Sequence, residues 1–204
     1  MSKVKMSKKA TSIDMTAMCD VAFLLLTFFI LTATAKQPEP LPVDTPSSTV
    51  QTKLPETNLS TITIGKGKVF MGIKGPDVRR KTLELMSEKT GVKFTKEEIE
   101  KFGLLDEFGV KINEISSLLA MKAADRNQEG LQKGIPIDSL DNQLKEWVLS
   151  ARTANAELKN EQLNFALKGD AKEEYPAIKK VMDILQDQGV NKFFLVTGLR
   201  SKDF

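Results

Sequence analysis

The sequence predicts a single transmembrane α-helix followed by a small α+β (α/β-like) domain that carries a helical insertion. Three observations predict it. An uncharged apolar run of fifteen residues, Val21 to Ala35, follows a lysine-bearing N-terminus. A stretch broken by Pro38, Pro40, Pro42, Pro46 and Pro55 then separates that run from the rest. Beyond it, alternating apolar segments and helical periodicities fill the chain and close on a strand–helix–strand pattern.

The helix comes first. Crossing roughly 30 Å of hydrocarbon takes about 20 residues at 1.5 Å each. The uncharged run must therefore recruit Thr16 to Asp20 on its N-terminal side, which gives a span over 15–35 and places Asp20 about one turn inside the bilayer. Lys3, Lys5, Lys8 and Lys9, within an N-terminal segment 1–14, orient the N-terminus to the cytoplasm and the larger domain to the outside. A cleaved signal peptide would also show a basic start, an apolar stretch and an Ala33-Thr34-Ala35 site. Asp14 and Asp20, in or beside the apolar region, argue for a retained helix.

Thr16, Asp20, Thr27 and Thr34 are spaced 4, 7 and 7 apart, which puts them on one helical face together with Leu24 and Leu31. That face is the candidate surface toward a pore or a partner helix. Val21, Ala22, Leu25, Phe28, Phe29 and Ala33 form the opposite, wholly apolar one. Threonines in membrane helices also bond back to their own i−4 carbonyls, which explains the threonines equally well. It does not explain Asp20. An aspartate in a bilayer costs at least about 2.5–3.5 kcal/mol, and no Lys or Arg lies in the span to offset it. Asp20 is thus the candidate proton-transfer residue, protonated from one aqueous side and deprotonated toward the other. A purely structural aspartate, hydrogen-bonded between two helices, is the competing reading.

Residues 36–58 read as a Pro/Ser/Thr-rich linker, at most about 75 Å long when extended. It is either a disordered tether or one that strand-pairs or docks in some state. The outer domain then runs over 59–204. Ser60–Ile64 and Val69–Ile73, joined by Gly65-Lys66-Gly67-Lys68, read as a hairpin. Asp77 is placed to cap a helix to Lys89 that stops at Gly91, and Thr95 with Glu98 has the form of a capping box. A further helix is expected over Lys111–Lys122. Leu140, Leu144, Trp147, Val148 and Ala151 mark another, with Trp147 as a core anchor. Leu163, Phe165 and Leu167 alternate as a strand. A helix over Tyr175–Gln188 with Gly189 as cap and a short buried strand at Phe193–Val196 complete a βαβ unit.

Composition removes several function classes. The chain has no histidine and a single cysteine, Cys19. This excludes an internal disulfide, the usual Cys/His zinc site, and Ser-His-Asp or Cys-His catalysis. No metal or other cofactor is expected. No nucleophile–base pair stands out, so the chain does not read as an enzyme. Beyond Lys36 the acidic and basic residues balance, which argues against nucleic acid.

The stretch Ile13-Asp14-Met15-Thr16-Ala17-Met18-Cys19-Asp20-Val21-Ala22-Phe23-Leu24-Leu25-Leu26 resembles the N-terminal signature of the ExbD/TolR family of biopolymer-transport proteins. That signature is a Met-Thr-Pro start, an aspartate four residues after the threonine, then valine and an apolar run. Asp20 matches the family's intramembrane aspartate, and Ala17 stands where the family usually has proline. Phe165–Asp170, Tyr175, Val181–Leu185, Gly189-Val190 and Phe193–Thr197 look like the family's periplasmic ending. The matching regions cover about a third of the chain. Residues from about 75 to 133 exceed a minimal member and look like a helical insertion.

The resemblance implies an inner-membrane subunit with a periplasmic domain, paired with itself inside a ring of an ExbB- or TolQ-like polytopic partner. Proton flow through that assembly would do work on a TonB- or TolA-like protein. The alternative is a membrane-anchored periplasmic binding module, for peptidoglycan as an example, in which the helix is only an anchor.

Overall fold

The computed structural model describes residues 15–33, 39–49, 53–128, 130–138 and 141–199. The chain divides into two compact units, Met1–Gln37 and Pro38–Phe204. The first contains helix α1, Met15–Thr32.

The second unit is a mixed α/β domain. Its strands are β1 (Ser47–Ser48), β2 (Leu59–Gly65), β3 (Lys68–Ile73), β4 (Glu107–Phe108), β5 (Asn164–Gly169), β6 (Phe193–Val196) and β7 (Gly198–Leu199). Its helices are α2 (Pro76–Thr90), α3 (Lys96–Gly103), α4 (Ile115–Ala120), α5 (Ala123–Arg126), α6 (Gln143–Lys159) and α7 (Tyr175–Asp187), with a 3-10 turn at Ile112–Glu114. Five strands form one sheet in the order β4-β3-β2-β5-β6. The hairpin β2–β3 is antiparallel, β5 lies parallel to β2, and β6 parallel to β5. The expected βαβ crossover is thus present, with α7 as its helix.

Period-two alternation decides which face of the sheet is buried. Ile62 and Ile64 of β2, Val69, Met71 and Ile73 of β3, and Phe165 and Leu167 of β5 point into one core with residues of α2, α6 and α7. Trp147 of α6 is fully buried there, as expected, stacked on Phe102 at 5.8 Å and edge-on to Phe108 at 4.7 Å. Phe102 and Phe108 belong to the stretch read as an insertion, and Val78, Leu83 and Met86 of α2 are also fully buried. The 75–133 region therefore shares the core of the sheet.

The opposite sheet face carries Thr61, Thr63, Phe70, Gly72, Ala166 and Lys168, and Glu107 faces it because it pairs with Gly72. Residues 39–49 lie across this face. A Cβ added to Gly65 would fall 2.7 Å from Val43 and 3.6 Å from Leu41. Leu41 is buried, β1 pairs in parallel with β7, and the N–H groups of Ala171 and Gly198 donate to the carbonyls of Asp44 (2.7 Å) and Pro46 (2.9 Å). Of the two states left open for the linker, this stretch shows the docked, strand-paired one.

Local signals hold in most places. Thr95 and Glu98 form the capping box at α3, and Gly91 ends α2 at φ 74°. Other expectations are corrected. Gly75, not Asp77, occupies the cap of α2, because Pro76 starts the helix two residues early and Asp77 lies in its first turn. The helix expected over Lys111–Lys122 is instead the 3-10 turn plus α4, and Met121 is already extended. α6 begins at Gln143 under an Asn142 cap, and Leu140 lies outside the described residues. Gln188 caps α7 and Gly189 follows at φ 76°. Strand β6 is not buried: it is an edge strand with Leu195 64% exposed.

Candidate functional site: a lone carboxylate on an apolar helix

Helix α1 reads MTAMCDVAFLLLTFFILT, with one acid, no base and a mean hydropathy of 2.0. Its 18 residues rise about 27 Å. Leu, Phe and Ile tolerate the helix well, and no proline or glycine interrupts it. Every residue of α1 is exposed. A helix this apolar with its surface exposed needs either lipid or another protein around it.

Asp20 stands about 7.5 Å along α1 from Met15 and roughly 18 Å from Thr32. At about 100° per residue, Thr16, Asp20, Leu24, Thr27 and Leu31 fall within an arc of about 80°. The helix thus brings together five of the six residues singled out from spacing, and Thr34 lies outside the described residues. Thr27 Oγ1 donates to the carbonyls of Phe23 and Leu24, both at 2.9 Å. Thr32, off that face, does the same to Phe28 at 2.7 Å. The Thr27 hydroxyl is therefore engaged by its own helix, as back-bonding predicts. An ionised Asp20 has no such resource, since a carboxylate can only accept. Among the described residues no base approaches it.

A second polar constellation, which the sequence reading missed, lies in the domain. Lys168 Nζ of β5 meets Glu39 Oε2 at 2.5 Å. Glu107 of β4 reaches Thr63 of β2, passing over β3 where Gly72 offers no side chain. Glu107 Oε1 is buried without a hydrogen-bond partner. Burial pushes the Glu107 carboxyl above its ordinary value. The Thr63 hydrogen bond and the Lys168 charge pull against that, and the Glu39 charge adds to it. Nothing in the local sequence LDEFG signals this, because its partners come from distant segments. Arg79 is a structural counterpart. It donates to the carbonyls of Ile73 (2.7 Å), Gly103 (3.0 Å) and Leu105 (2.6 Å), and to Asp106 at 3.3 Å, tying β3, α3 and β4 to α2.

An exposed apolar helix near one end and a mixed α/β domain after it define a single-pass, membrane-anchored protein. The model of the family described as biopolymer transport protein ExbD/TolR matches residues 6–199, and the chain belongs to that family. Its role is accordingly in energy-coupled biopolymer transport, where members act as non-enzymatic accessory proteins in complexes with ExbB/TolQ- and TonB/TolA-type proteins. Neither the curated proteins nor the solved structures include a match.

Proposed function

We propose that this chain is the ExbD-like subunit of an inner-membrane proton-channel motor, with its N-terminus in the cytoplasm, its domain in the periplasm and Asp20 as the proton carrier. The observation that carries the reading is the lone carboxylate of an otherwise uncharged helix whose whole surface is exposed. Hydrocarbon penalises a charge, so an acid at this depth needs water or a partner protein beside it. An ExbB- or TolQ-like polytopic partner provides that surround, and a second copy of α1 completes the pair. The arc from Thr16 to Leu31 then faces the partner or the pore.

Each proton that binds Asp20 from the periplasm and leaves toward the cytoplasm releases about 2.3 kcal/mol per 100 mV of membrane potential. The domain passes the resulting movement to a TonB- or TolA-like protein. Asp20→Asn keeps the size of the side chain and removes its titration. Expressed with the polytopic partner, the variant should lose proton-driven transport while assembling at the normal ratio. Full activity would leave an anchor carrying a periplasmic binding module, with peptidoglycan the first ligand to assay.

A further inference from the structure

We propose that Glu107 makes the docked segment 39–49 a pH-responsive latch, closed by the Glu39–Lys168 ion pair while Glu107 holds a proton and loosened when Glu107 gives it up. The inference stands apart from the role of Asp20.

Lys168 pairs with Glu39 of the strap, and the charges of both act on Glu107. Lys168 extends from β5 opposite Thr63, is only 19% exposed at its side chain, and meets Glu39 of the strap at 2.5 Å. Glu107 lies on the same sheet face, two strands away from Lys168's neighbour β2, with a buried oxygen that has no donor. Among the described residues, four groups bear on Glu107. The strap presents Glu39, β5 presents Lys168, β2 presents the Thr63 hydroxyl, and β3 presents Gly72 with no side chain. On its own segment, Asp106 pairs with Arg79 of α2.

With Glu107 protonated, Lys168 and Glu39 neutralise each other. With Glu107 ionised, its negative charge opposes that of Glu39, and Glu39 is the one on a segment able to leave. The coupling is reciprocal: if docked Glu39 disfavours ionised Glu107, ionised Glu107 disfavours docking of Glu39 to the same degree. The sign follows from the raised proton affinity of Glu107. Docking weakens as pH rises from the ordinary carboxylate value of 4.5 through the raised value of Glu107.

The strap supplies its own reporters. The N–H groups of Ala171 and Gly198 are bonded only to strap carbonyls, those of Asp44 and Pro46. Hydrogen–deuterium exchange of the full chain in detergent, corrected for intrinsic rates, therefore reads docking at these two amides. Between about pH 5 and pH 8 their protection should fall about threefold or more, the size expected for one partly screened charge pair. Protection of the β2–β3 ladder should stay constant and reports the fold. Glu107→Gln should keep the two amides protected and flatten their pH dependence. Glu39→Gln, which leaves the interior untouched, should flatten it as well and lower protection at every pH. A wild-type profile with no pH dependence, or one that persists in Glu107→Gln or Glu39→Gln, overturns the proposal.

Discussion

Trp147 offers the most demanding test of the domain's architecture, because two substitutions there should behave very differently. The side chain is fully buried between Phe102 and Phe108, which themselves sit 5.1 Å apart. Trp147→Ala deletes the indole from a close-packed site, at a cost of about 3–5 kcal/mol. The two ring contacts, worth about 0.5–1.5 kcal/mol each beyond burial, push the result to the upper end. Trp147→Phe opens only part of that cavity, about 1–2 kcal/mol. It also removes Nε1, a buried donor with no partner among the described residues, whose desolvation costs about 1–3 kcal/mol. The two terms nearly cancel, so Trp147→Phe should lie within about 1 kcal/mol of the parent. Urea unfolding of the full chain in detergent, followed by far-UV circular dichroism, reads both, since Trp147 is the only tryptophan and its fluorescence vanishes with it. Equal costs for the two variants would refute the cancellation. A cost below 1 kcal/mol for Trp147→Ala would show that α3 and β4 do not share the core.

The remaining expectations are smaller or more local. Gly109→Ala puts a Cβ inside the envelope of the Phe70 ring and should cost about 1–3 kcal/mol in the same unfolding assay. Thr95→Ala removes the α3 cap, at about 1 kcal/mol. The Thr95 backbone N–H, then the Ser116 hydroxyl, hold the Glu98 carboxyl below its ordinary 4.5. That contribution is present above about pH 4.5 and is lost as pH falls through the depressed value, so exchange of the α3 amides should quicken only in acid and not at all in Glu98→Gln. Thr27→Val removes a hydroxyl already bonded to Phe23 and Leu24, and should leave proton-driven transport within about twofold of the parent.

What could be read from the sequence was what local chemistry decides. The β2–β3 hairpin, the Thr95 capping box, the Gly91 stop and the alternation of Leu163, Phe165 and Leu167 each depend on residues a few positions apart. The failures share a different cause. The helix expected from Lys111 begins as a 3-10 turn, and its first free N–H, that of Ile112, donates to Gln143 Oε1 at 2.9 Å, 31 residues away. Strand β4 has two residues, too few for any alternation to show. The strap looked like a tether because proline lacks a donor, yet it docks by accepting: Asp44 and Pro46 contribute carbonyls, which proline retains. Apolar composition suggested a buried strand at Phe193–Val196, and its place at the sheet edge leaves it half exposed. In the candidate site, Asp20 was legible because a charge in an apolar run is a local anomaly. The Glu39–Lys168–Glu107 cluster was not, since only the sheet register and the docking of the strap bring those residues together.

The central claim is that the Asp20 carboxyl changes its protonation as the motor turns. Infrared difference spectroscopy of the chain reconstituted with its polytopic partner, recorded with and without an imposed proton gradient, observes that group directly. A protonated-carboxyl stretch should rise and fall with the gradient and be missing from Asp20→Asn. A carboxylate that stays ionised under both conditions, in assemblies that still transport, would contradict the account.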